Sequence, residues 1–407
     1  MSGEGDIFIV SKVWPSAPEL RDAAPSSIGL IKATVNGGDV RDALIVIAKI
    51  FLGTAAPNQW PSSTAPQQLV NGAYAVGIAP VLYRSPVYHQ LPSQFQEVIK
   101  RAYLRTAVHS VRLVEAMNQV CTALAQSGIE AAPFKGAVLS QRIYNASDMR
   151  QSLDIDLMIK RADVMQALKV LADCGYQHFV SESKAAKVAK RAFSFEMRNP
   201  RNGVLLDLQW DIANGYCKSA YTEEELFRQT APVKIEHYIF STFNETVTLY
   251  LISVHGAKNS WCELKALLDL AMMLKKGDSA PLAEVAFRMQ RQGTLNMLLV
   301  GALLVRKLLG LDIPSVLEKK MNHSVQVLAD EIVIYWKKRI ELTERPSAFQ
   351  RFKWDMRFRE GMNERARYFI FRMRPTKRDF VNQKGVIHWS WGRRLLRVLR
   401  TGESVFR

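Results

Sequence analysis

The chain has 407 residues, of which 48% are hydrophobic and 23% charged, and its formal net charge at pH 7 is +17. A chain of this length and composition is globular, can bury a sizeable core and forms two or three domains. Three features are absent: a basic-then-apolar leader, an apolar run long enough to span a bilayer, and a CxxC pair among the four cysteines. We therefore expect a cytoplasmic protein without a structural zinc site or a disulfide framework, and leave peripheral contact with a membrane open.

The apolar spacing divides the chain into five predicted segments and indicates an α+β fold. They are a loosely ordered segment over 1–40, a helical region over 41–128, an α/β core over 129–221, a helical domain over 222–335 and a basic helical tail over 336–407. Pro15, Pro18 and Pro25 break any long periodicity in the first segment. Apolar spacing near 3.6 residues marks the helical segments.

Within the core, strands and helices alternate. The stretch "IEAAPFKG" is predicted to be short and extended, "AVLSQRIY" a helix, "LDIDLMI" a strand and "ADVMQALKVLADCGY" an amphipathic helix that ends near Gly175. The stretch "RAFSFEMRNPRNGVLLDLQWDI" is typical of a β-hairpin whose turn runs from Asn199 to Gly203. After about Thr222 the pattern returns to helices.

Two aspartates lie one residue apart in the predicted strand "LDIDLMI". Because side chains alternate along a strand, Asp154 and Asp156 share one face, while Leu153, Ile155 and Leu157 point into a core. Carboxylates this close repel and raise each other's pKa unless a cation lies between them or water reaches both. Solvated pairs of this kind are common, so the pair alone leaves a metal site and a wet surface open.

The hairpin supplies a third carboxylate. In "VLLDLQWDI" the strand period places Asp207, Gln209 and Asp211 on one face. The opposite, apolar face consists of Leu206, Leu208, Trp210 and Ile212. If this strand lies beside "LDIDLMI", Asp207 joins Asp154 and Asp156 in a cluster suited to two magnesium ions. Oxygen ligands without histidine or thiol favour Mg²⁺ or Mn²⁺ over Zn²⁺.

A candidate phosphate-binding turn precedes the aspartates. Lys135 and Gly136 open the short predicted helix in "FKGAVLSQRIY". A glycine at this place lets backbone N–H groups approach a phosphate, and the lysine adds a positive charge. Arg150, four residues before the first aspartate, could reach the same phosphates. The alternatives are a solvated turn lysine and a surface pair between Arg150 and Asp148.

A later predicted helix, "HGAKNSWCELKALLDL", carries a polar stripe. The stripe consists of His255, Lys258, Asn259 and Cys262. These residues follow helical spacing and share one predicted face, which could close over a nucleotide. The alternative for His255 is a satisfied core histidine, and Trp261 and Asp269 are predicted to be mainly structural.

The positive charge is concentrated in the tail. Residues 337–407 contain 20 lysines and arginines against seven aspartates and glutamates, a net charge of +13. Aromatic residues alternate with arginines in "RFKWDMRFRE", "RARYFIFRMRPTKR" and "WSWGRRLLRVLR". Such a pattern fits nucleic acid, or an anionic membrane surface contacted by Trp389, Trp391, Leu395 and Leu396. It equally fits basic amphipathic helices that pack on the body of the protein.

Taken in order, several of these stretches resemble the uncharacterised nucleotidyltransferase family of the DNA polymerase β-like nucleotidyltransferase superfamily. They are "FKG" with "LSQRIY", "MRQSLDIDLMI", "LLDLQW" and "HGAKNSWCELKALLDLAMML", within residues 40–314. The resemblance implies a minimal palm-like mixed sheet between helical regions. It also implies that a carboxylate triad with Mg²⁺ or Mn²⁺ transfers a nucleotidyl group from a nucleoside triphosphate, with ATP as the expected donor.

The resemblance assigns roles to individual residues. The implied metal ligands and catalytic residues are Asp154, Asp156 and Asp207, and the implied nucleotide-binding residues are Lys135, Gly136, Arg150, His255 and Lys258. Asp207 would also help to deprotonate the acceptor. Gln209 is the one departure, because the family has a histidine there. Glutamine forms hydrogen bonds but cannot shuttle a proton near neutral pH.

Two functions from different classes remain. The first is a nucleotidyltransferase, or a phosphoryl-transfer variant of one, that acts on a peptide, a sugar or another biosynthetic intermediate. The second is a catalytically weak protein that binds nucleotides or nucleic acid through the basic tail. The intact carboxylates favour the enzyme, whereas Gln209 and the +13 tail keep the second function open. The sequence leaves the acceptor and the oligomeric state undetermined.

Overall fold

The computed structural model describes the chain between residues 37 and 373, with short gaps. The described residues are 37–59, 64–86, 88–178, 185–186, 189–190, 192–213, 215–277, 279–339 and 342–373. Within them the fold is α+β, as predicted, with a small mixed sheet flanked by helices. Residues 1–36 of the predicted loose segment lie outside the described residues, and so do the four tail residues Trp389, Trp391, Leu395 and Leu396.

Among the described residues, four α-helices precede the sheet, and the last of them joins two cores. They are α1 (Gly37–Leu52), α2 (Pro66–Ala75), α3 (Ala79–Arg84) and α4 (Ser93–Gln126). The first half of α4 buries Ile99 and Ala102 in a core made by helices. Its second half buries Leu113, Val120 and Leu124 in a second core beneath the sheet. At 34 residues, α4 is long enough to reach across both cores and fix the sheet against the helices.

The main sheet has five strands in the order β1-β2-β5-β4-β3. The strands are β1 (Ala131–Pro133), β2 (Asp154–Ile159), β3 (Gln177–His178), β4 (Ser194–Arg198) and β5 (Leu205–Gln209), and helices α5 (Gly136–Tyr144) and α6 (Val164–Asp173) lie in the connections. Strands β2 and β5 run parallel, and the other neighbours are antiparallel. The predicted hairpin is confirmed as β4 and β5. The two acidic strands are neighbours, as a shared carboxylate site requires.

The two faces of β2 and β5 differ as the strand period predicts. Ile155 and Leu157 on β2, with Leu206 and Leu208 on β5, are buried in the core beneath α4 and α6. The prediction was wrong for Leu153, which is 47% exposed. Strand β2 begins only at Asp154, so Leu153 lies before the pleated segment and does not follow its alternation.

A second, two-stranded sheet interrupts the region that was predicted to be helical after Thr222. It follows helix α7 (Glu223–Arg228) and consists of β6 (Thr230–Ile235) and β7 (Tyr238–Phe243). The two-residue turn contains Glu236 at a φ of 53°, and it lacks the Asn-Gly or Asp-Gly pair that usually signals such a hairpin. The hairpin packs on β1, where the Thr242 hydroxyl donates to the Pro133 carbonyl.

Eight helices complete the described chain. They are α8 (Glu245–Lys258), α9 (Leu264–Lys275), α10 (Ser279–Arg291), α11 (Leu295–Leu304), α12 (Ser315–Glu318), α13 (His323–Lys338), α14 (Ala348–Arg357) and α15 (Met362–Met373). They share one apolar core with α1 to α3. Among the described helices, none combines the length and the apolar character that crossing a membrane requires. The predicted division into five segments stays a prediction.

Trp261 lies in the middle of the helical core. It is 0% exposed, and its indole N–H donates to the Met297 carbonyl at 3.0 Å. A Cβ on Gly256 or Gly301 would lie 2.3 Å or 2.4 Å from its ring, so both glycines are needed for the close approach of α8 and α11. The predicted structural role of Trp261 is confirmed.

The described part of the basic tail packs on the body of the protein. Helices α14 and α15 bury Trp354 and Tyr368 in the helical core, and Phe358 follows α14 into it. The alternative of amphipathic helices that pack on the body is therefore confirmed for residues 342–373. Binding of residues 337–407 to an anionic membrane or to nucleic acid stays a prediction.

Candidate active site

Two carboxylates lie side by side on the polar face of the main sheet. Asp156 on β2 and Asp207 on β5 are direct partners across the parallel ladder, and Asp154 lies one step earlier on the same face, opposite Leu205. Asp156 and Asp207 are only 8% and 9% exposed. Neighbouring strands are about 4.8 Å apart, so two negative charges meet here with little water to separate them.

Two hydrogen-bond donors occupy the space between these carboxylates. The Lys135 ammonium lies 2.6 Å from Asp156 Oδ1. The Gln209 amide donates through the same nitrogen to Asp156 Oδ1 at 2.8 Å and to Asp207 Oδ2 at 2.9 Å. Within the described residues, no three acidic, histidine or cysteine side chains are grouped closely enough to hold a metal ion. The predicted three-carboxylate metal cluster stays a prediction, and in the structure Lys135 and Gln209 bind Asp156 and Asp207.

The chemistry of the set nevertheless fits a hard divalent cation. The available ligands are carboxylate oxygens, which Mg²⁺ and Mn²⁺ prefer. Asp156 and Asp207 already converge on one donor atom, Nε2 of Gln209. A cation at Asp156 would have to displace the Gln209 amide and the Lys135 ammonium, which both bind its Oδ1 in the structure.

The beginning of α5 lies beside Asp156 and has the backbone form expected for a phosphate-binding turn. Lys135 is the residue before the helix, and Gly136 opens it at a φ of +56°. A Cβ on Gly136 would be strained at this φ and would lie 3.2 Å from Ser152 Oγ. The structure thus favours glycine at the start of α5, beside the segment that leads into the strand carrying Asp154 and Asp156.

Arg150 is buried and binds a residue of the distant helix α9. Its Nε lies 2.9 Å from Asp269 Oδ2, and both side chains are less than a tenth exposed. The Tyr144 hydroxyl donates to the other carboxylate oxygen of Asp269 at 2.9 Å. The alternative of a surface pair between Arg150 and Asp148 was wrong, since Asp148 instead binds Tyr103. A contact between Arg150 and phosphate stays a prediction.

The last turn of α8 brings His255 and Lys258 to the same region. Burial lowers the pKa of His255 well below its usual value, and the positive charges of Lys135, Arg150, Lys258 and Lys265 lower it further. His255 is therefore neutral near pH 7, and its Nε2 lies 3.2 Å from Asn259 Nδ2.

The predicted polar stripe does not extend to Cys262. Helix α8 ends at Lys258, and the backbone turns sharply through Ser260 and Trp261, both at positive φ. Cys262 thus follows the turn and is buried. Sequence spacing missed this break because "KNSWCE" contains neither glycine nor proline.

The structure adds two residues that the sequence motifs missed. Lys265 in the first turn of α9 lies near Arg150, and its Nζ donates to the Gln151 carbonyl at 3.4 Å. His109 lies on α4 near Asp154; burial lowers its pKa, and its Nε2 is buried without a hydrogen-bond partner among the described residues. The only signal in the sequence for His109 was its helical spacing to Leu113.

Comparison with known families agrees with this arrangement. A family model described as "Uncharacterised nucleotidyltransferase" matches residues 62–310, which include the sheet, the carboxylates and helices α8 to α11. No curated protein matches the sequence significantly.

Proposed function

The chain belongs to the uncharacterised nucleotidyltransferase family, and from this premise we propose that it transfers a nucleotidyl group from a nucleoside triphosphate to an acceptor in a magnesium-dependent reaction. ATP is the donor to test first. The observation that carries the proposal is the pairing of Asp156 and Asp207 beside the glycine-opened start of α5. It combines carboxylates for a divalent cation with a phosphate-binding turn.

Lys135 and Gly136 bind the triphosphate in this proposal. In the structure the Lys135 ammonium is held by Asp156 and lies 4.9 Å from the centre of the Phe134 ring. When the nucleotide enters, the ammonium turns from the carboxylate to the phosphates, and the first N–H groups of α5 bind the same phosphates. Positive charge thereby moves to where the transferred phosphorus gains negative charge.

The carboxylates bind the metal and prepare the acceptor. Asp154, Asp156 and Asp207 would hold Mg²⁺ or Mn²⁺, which would neutralise phosphate charge as a Lewis acid. Asp207 would accept the proton of the attacking hydroxyl or amine as its oxygen or nitrogen bonds to the α-phosphorus, and the bond from the α-phosphorus to pyrophosphate would break to release pyrophosphate. Gln209, which bridges Asp156 and Asp207, orients both carboxylates but takes no proton itself. His255 and Lys258 approach the nucleotide from the end of α8.

The test is calorimetry with each of the four common nucleoside triphosphates in the presence and absence of Mg²⁺. We compare the wild type, the double variant Asp154→Asn/Asp156→Asn, and the control Asp173→Asn, which removes an exposed carboxylate at the end of α6. We expect magnesium-dependent binding of at least one nucleotide by the wild type and the control. We expect none by the double variant.

Folded wild-type protein that binds none of the four nucleotides would overturn the proposal. If binding is found, ATP labelled at the α- or the γ-phosphate separates the two possible reactions. Transfer of the α-label to an added peptide or sugar identifies nucleotidyl transfer, and transfer of the γ-label alone identifies the phosphoryl-transfer variant.

A further inference from the structure

Lys265 reaches the site from the helical core. It lies in the first turn of α9, and its Nζ is 3.4 Å from the carbonyl oxygen of Gln151, which precedes β2 by three residues. Its stem lies against the backbone at Gly77, where a Cβ would be 3.0 Å from Lys265 Cδ and 3.5 Å from Cε. The same Cβ would lie 3.5 Å from Nζ, so the ammonium lies beside both the turn between α2 and α3 and the segment that leads into β2.

The charge of Lys265 is poorly compensated. Asp269, four residues later on the same helix, is bound by Arg150 and Tyr144. Among the described residues, Lys265 has no carboxylate within salt-bridge distance, and its contact with the Gln151 carbonyl is long. Burial lowers the pKa of Lys265, the neighbouring charge of Arg150 lowers it further, and the carboxylates of Glu263, Asp269 and Asp154 oppose this change only in part. A half-buried cation in such surroundings is stabilised by a bound anion.

Lys265 and Lys135 approach one region from different parts of the fold. Lys135 belongs to the sheet and lies beside Asp156, whereas Lys265 belongs to the helical core and lies near Asp154. The positive charges of both ammonium groups lower the pKa of His255, so the two lysines lie near the same imidazole. The sheet and the helical core thus each bring a lysine near His255 and the aspartates of β2.

We propose that Lys265 binds the triphosphate of the nucleotide, with its ammonium on the phosphates opposite the start of α5. This inference rests on the proposed function and extends it, because it makes the donor site an interface between the sheet and the helical core. The Arg150–Asp269 ion pair keeps α9 against the segment before β2 and so positions Lys265. A nucleotide would thus be bound only when these two parts are docked.

The test is calorimetry with magnesium and two probes, ATP and inorganic tripolyphosphate, which carries the phosphates without the base. The variant Lys265→Met keeps most of the stem that packs on Gly77 and removes the charge. We expect it to weaken binding of both probes by about tenfold, as the loss of one charged hydrogen bond does, with an unchanged melting temperature. Lys265→Arg keeps the charge and should bind within roughly threefold of the wild type.

The matched control is Lys169→Met, which removes one exposed lysine from α6 and should leave both affinities unchanged. If Lys265→Met lowers the melting temperature, Lys265→Arg is the deciding variant. A folded arginine variant that binds like the wild type supports the proposal. A folded arginine variant that has lost binding overturns it. Wild-type affinity in a folded Lys265→Met variant would overturn this inference and leave the proposed function standing. Failure of the wild type to bind any nucleotide would overturn both.

Discussion

Two buried clusters of charge in this chain differ in how their charges are balanced. The carboxylate site consists of Lys135, Asp156, Asp207 and Gln209, and the arginine clamp consists of Tyr216, Asp355, Arg359 and Tyr368. In the clamp, one carboxylate accepts hydrogen bonds from two tyrosines and lies near a guanidinium. In the site, one amide bridges two carboxylates and one ammonium binds Asp156. The clamp is therefore close to neutral, whereas the site has excess negative charge.

The clamp fastens the described part of the basic tail. Arg359 is 0% exposed and donates to the carbonyl oxygens of Asp355 and Tyr216. Its guanidinium lies 3.8 Å from the centre of the Tyr368 ring and 4.4 Å from that of Tyr216. Burial raises the pKa of Asp355, and the nearby guanidinium and the two hydroxyls oppose that rise. This cluster joins α14 and α15 to the segment after β5.

The difference teaches that burial of charge can serve either stability or binding. Buried ions are tolerated when partners surround them, as in the clamp. Excess charge of one sign costs stability and persists where a ligand of the opposite sign compensates for it. Variants in the clamp should therefore change stability, and variants in the site should change ligand binding.

The largest expected effect is that of Arg359→Met. Removal of the guanidinium leaves Asp355 buried without its counter-charge, so we expect the free energy of unfolding to fall by about 3–5 kcal/mol. Urea denaturation measures this loss. The control Arg367→Met removes a 57% exposed arginine of α15 and should change stability by less than about 0.5 kcal/mol. A comparable loss in both variants would show that Arg359 contributes no more than a surface charge.

The variant Asp156→Asn should change ligand binding strongly and stability little. The variant removes one of two facing buried carboxylates, so the free energy of unfolding should change by less than about 1 kcal/mol. The affinity for MgATP should fall by roughly 100-fold, because the variant loses a proposed metal ligand. Calorimetry and urea denaturation on the same preparation measure both. A stability loss as large as that of Arg359→Met would contradict the distinction between the two clusters.

The variant Gln209→Met tests the amide that binds both carboxylates of the site. It removes this hydrogen-bond donor and keeps a similar side-chain volume. Asp156 and Asp207 then repel each other without the bridging amide, and stability without magnesium should fall by about 1–3 kcal/mol. Added Mg²⁺ should restore more of the melting temperature in this variant than in the wild type, because the cation replaces the amide. The control Gln166→Met changes a glutamine on the exposed side of α6. If magnesium raises the melting temperature equally in all three proteins, Gln209 does not compete with the metal.

The smallest expected effect concerns pH and His255. Its folded-state pKa is held well below the usual 6.5 by burial and by neighbouring cations. Below pH 6.5 the unfolded chain therefore takes up a proton that the folded chain rejects, and stability falls as pH falls. Between pH 7.5 and 5.5 this group should account for about 1 kcal/mol. Urea denaturation at each pH measures the free energy of unfolding, and in His255→Gln this free energy should fall with pH by about 1 kcal/mol less than in the wild type. An equal fall in both proteins would contradict a neutral His255 imidazole.

Local patterns in the sequence predicted the core of the site. The alternation in "LDIDLMI" placed Asp154 and Asp156 on one face, and the turn from Asn199 to Gly203 identified the hairpin that carries Asp207. The glycine at 136 identified the start of α5. These features depend on neighbours within a few residues, so periodicity and turn chemistry are enough to detect them.

Other features had no local signal. The turn of the β6–β7 hairpin contains Glu236 and His237 in place of the usual glycine or asparagine, and the surrounding fold holds it there. The end of α8 before Trp261 depends on how that side chain fits between Gly256 and Gly301. Packing of this kind overrides local propensity, and a single sequence does not show it.

The sequence by itself determined where the residues of the candidate site lie: three carboxylates on strands and a lysine with a glycine at the start of a helix. Only the tertiary structure decided their partners. Arg150 binds Asp269 from a helix 119 positions away, and Gln209 reaches Asp156 over 53 positions. The physical reason is that strand and helix periods act over a few residues. The partners of a buried charge are chosen by the packing of elements that are far apart in the chain.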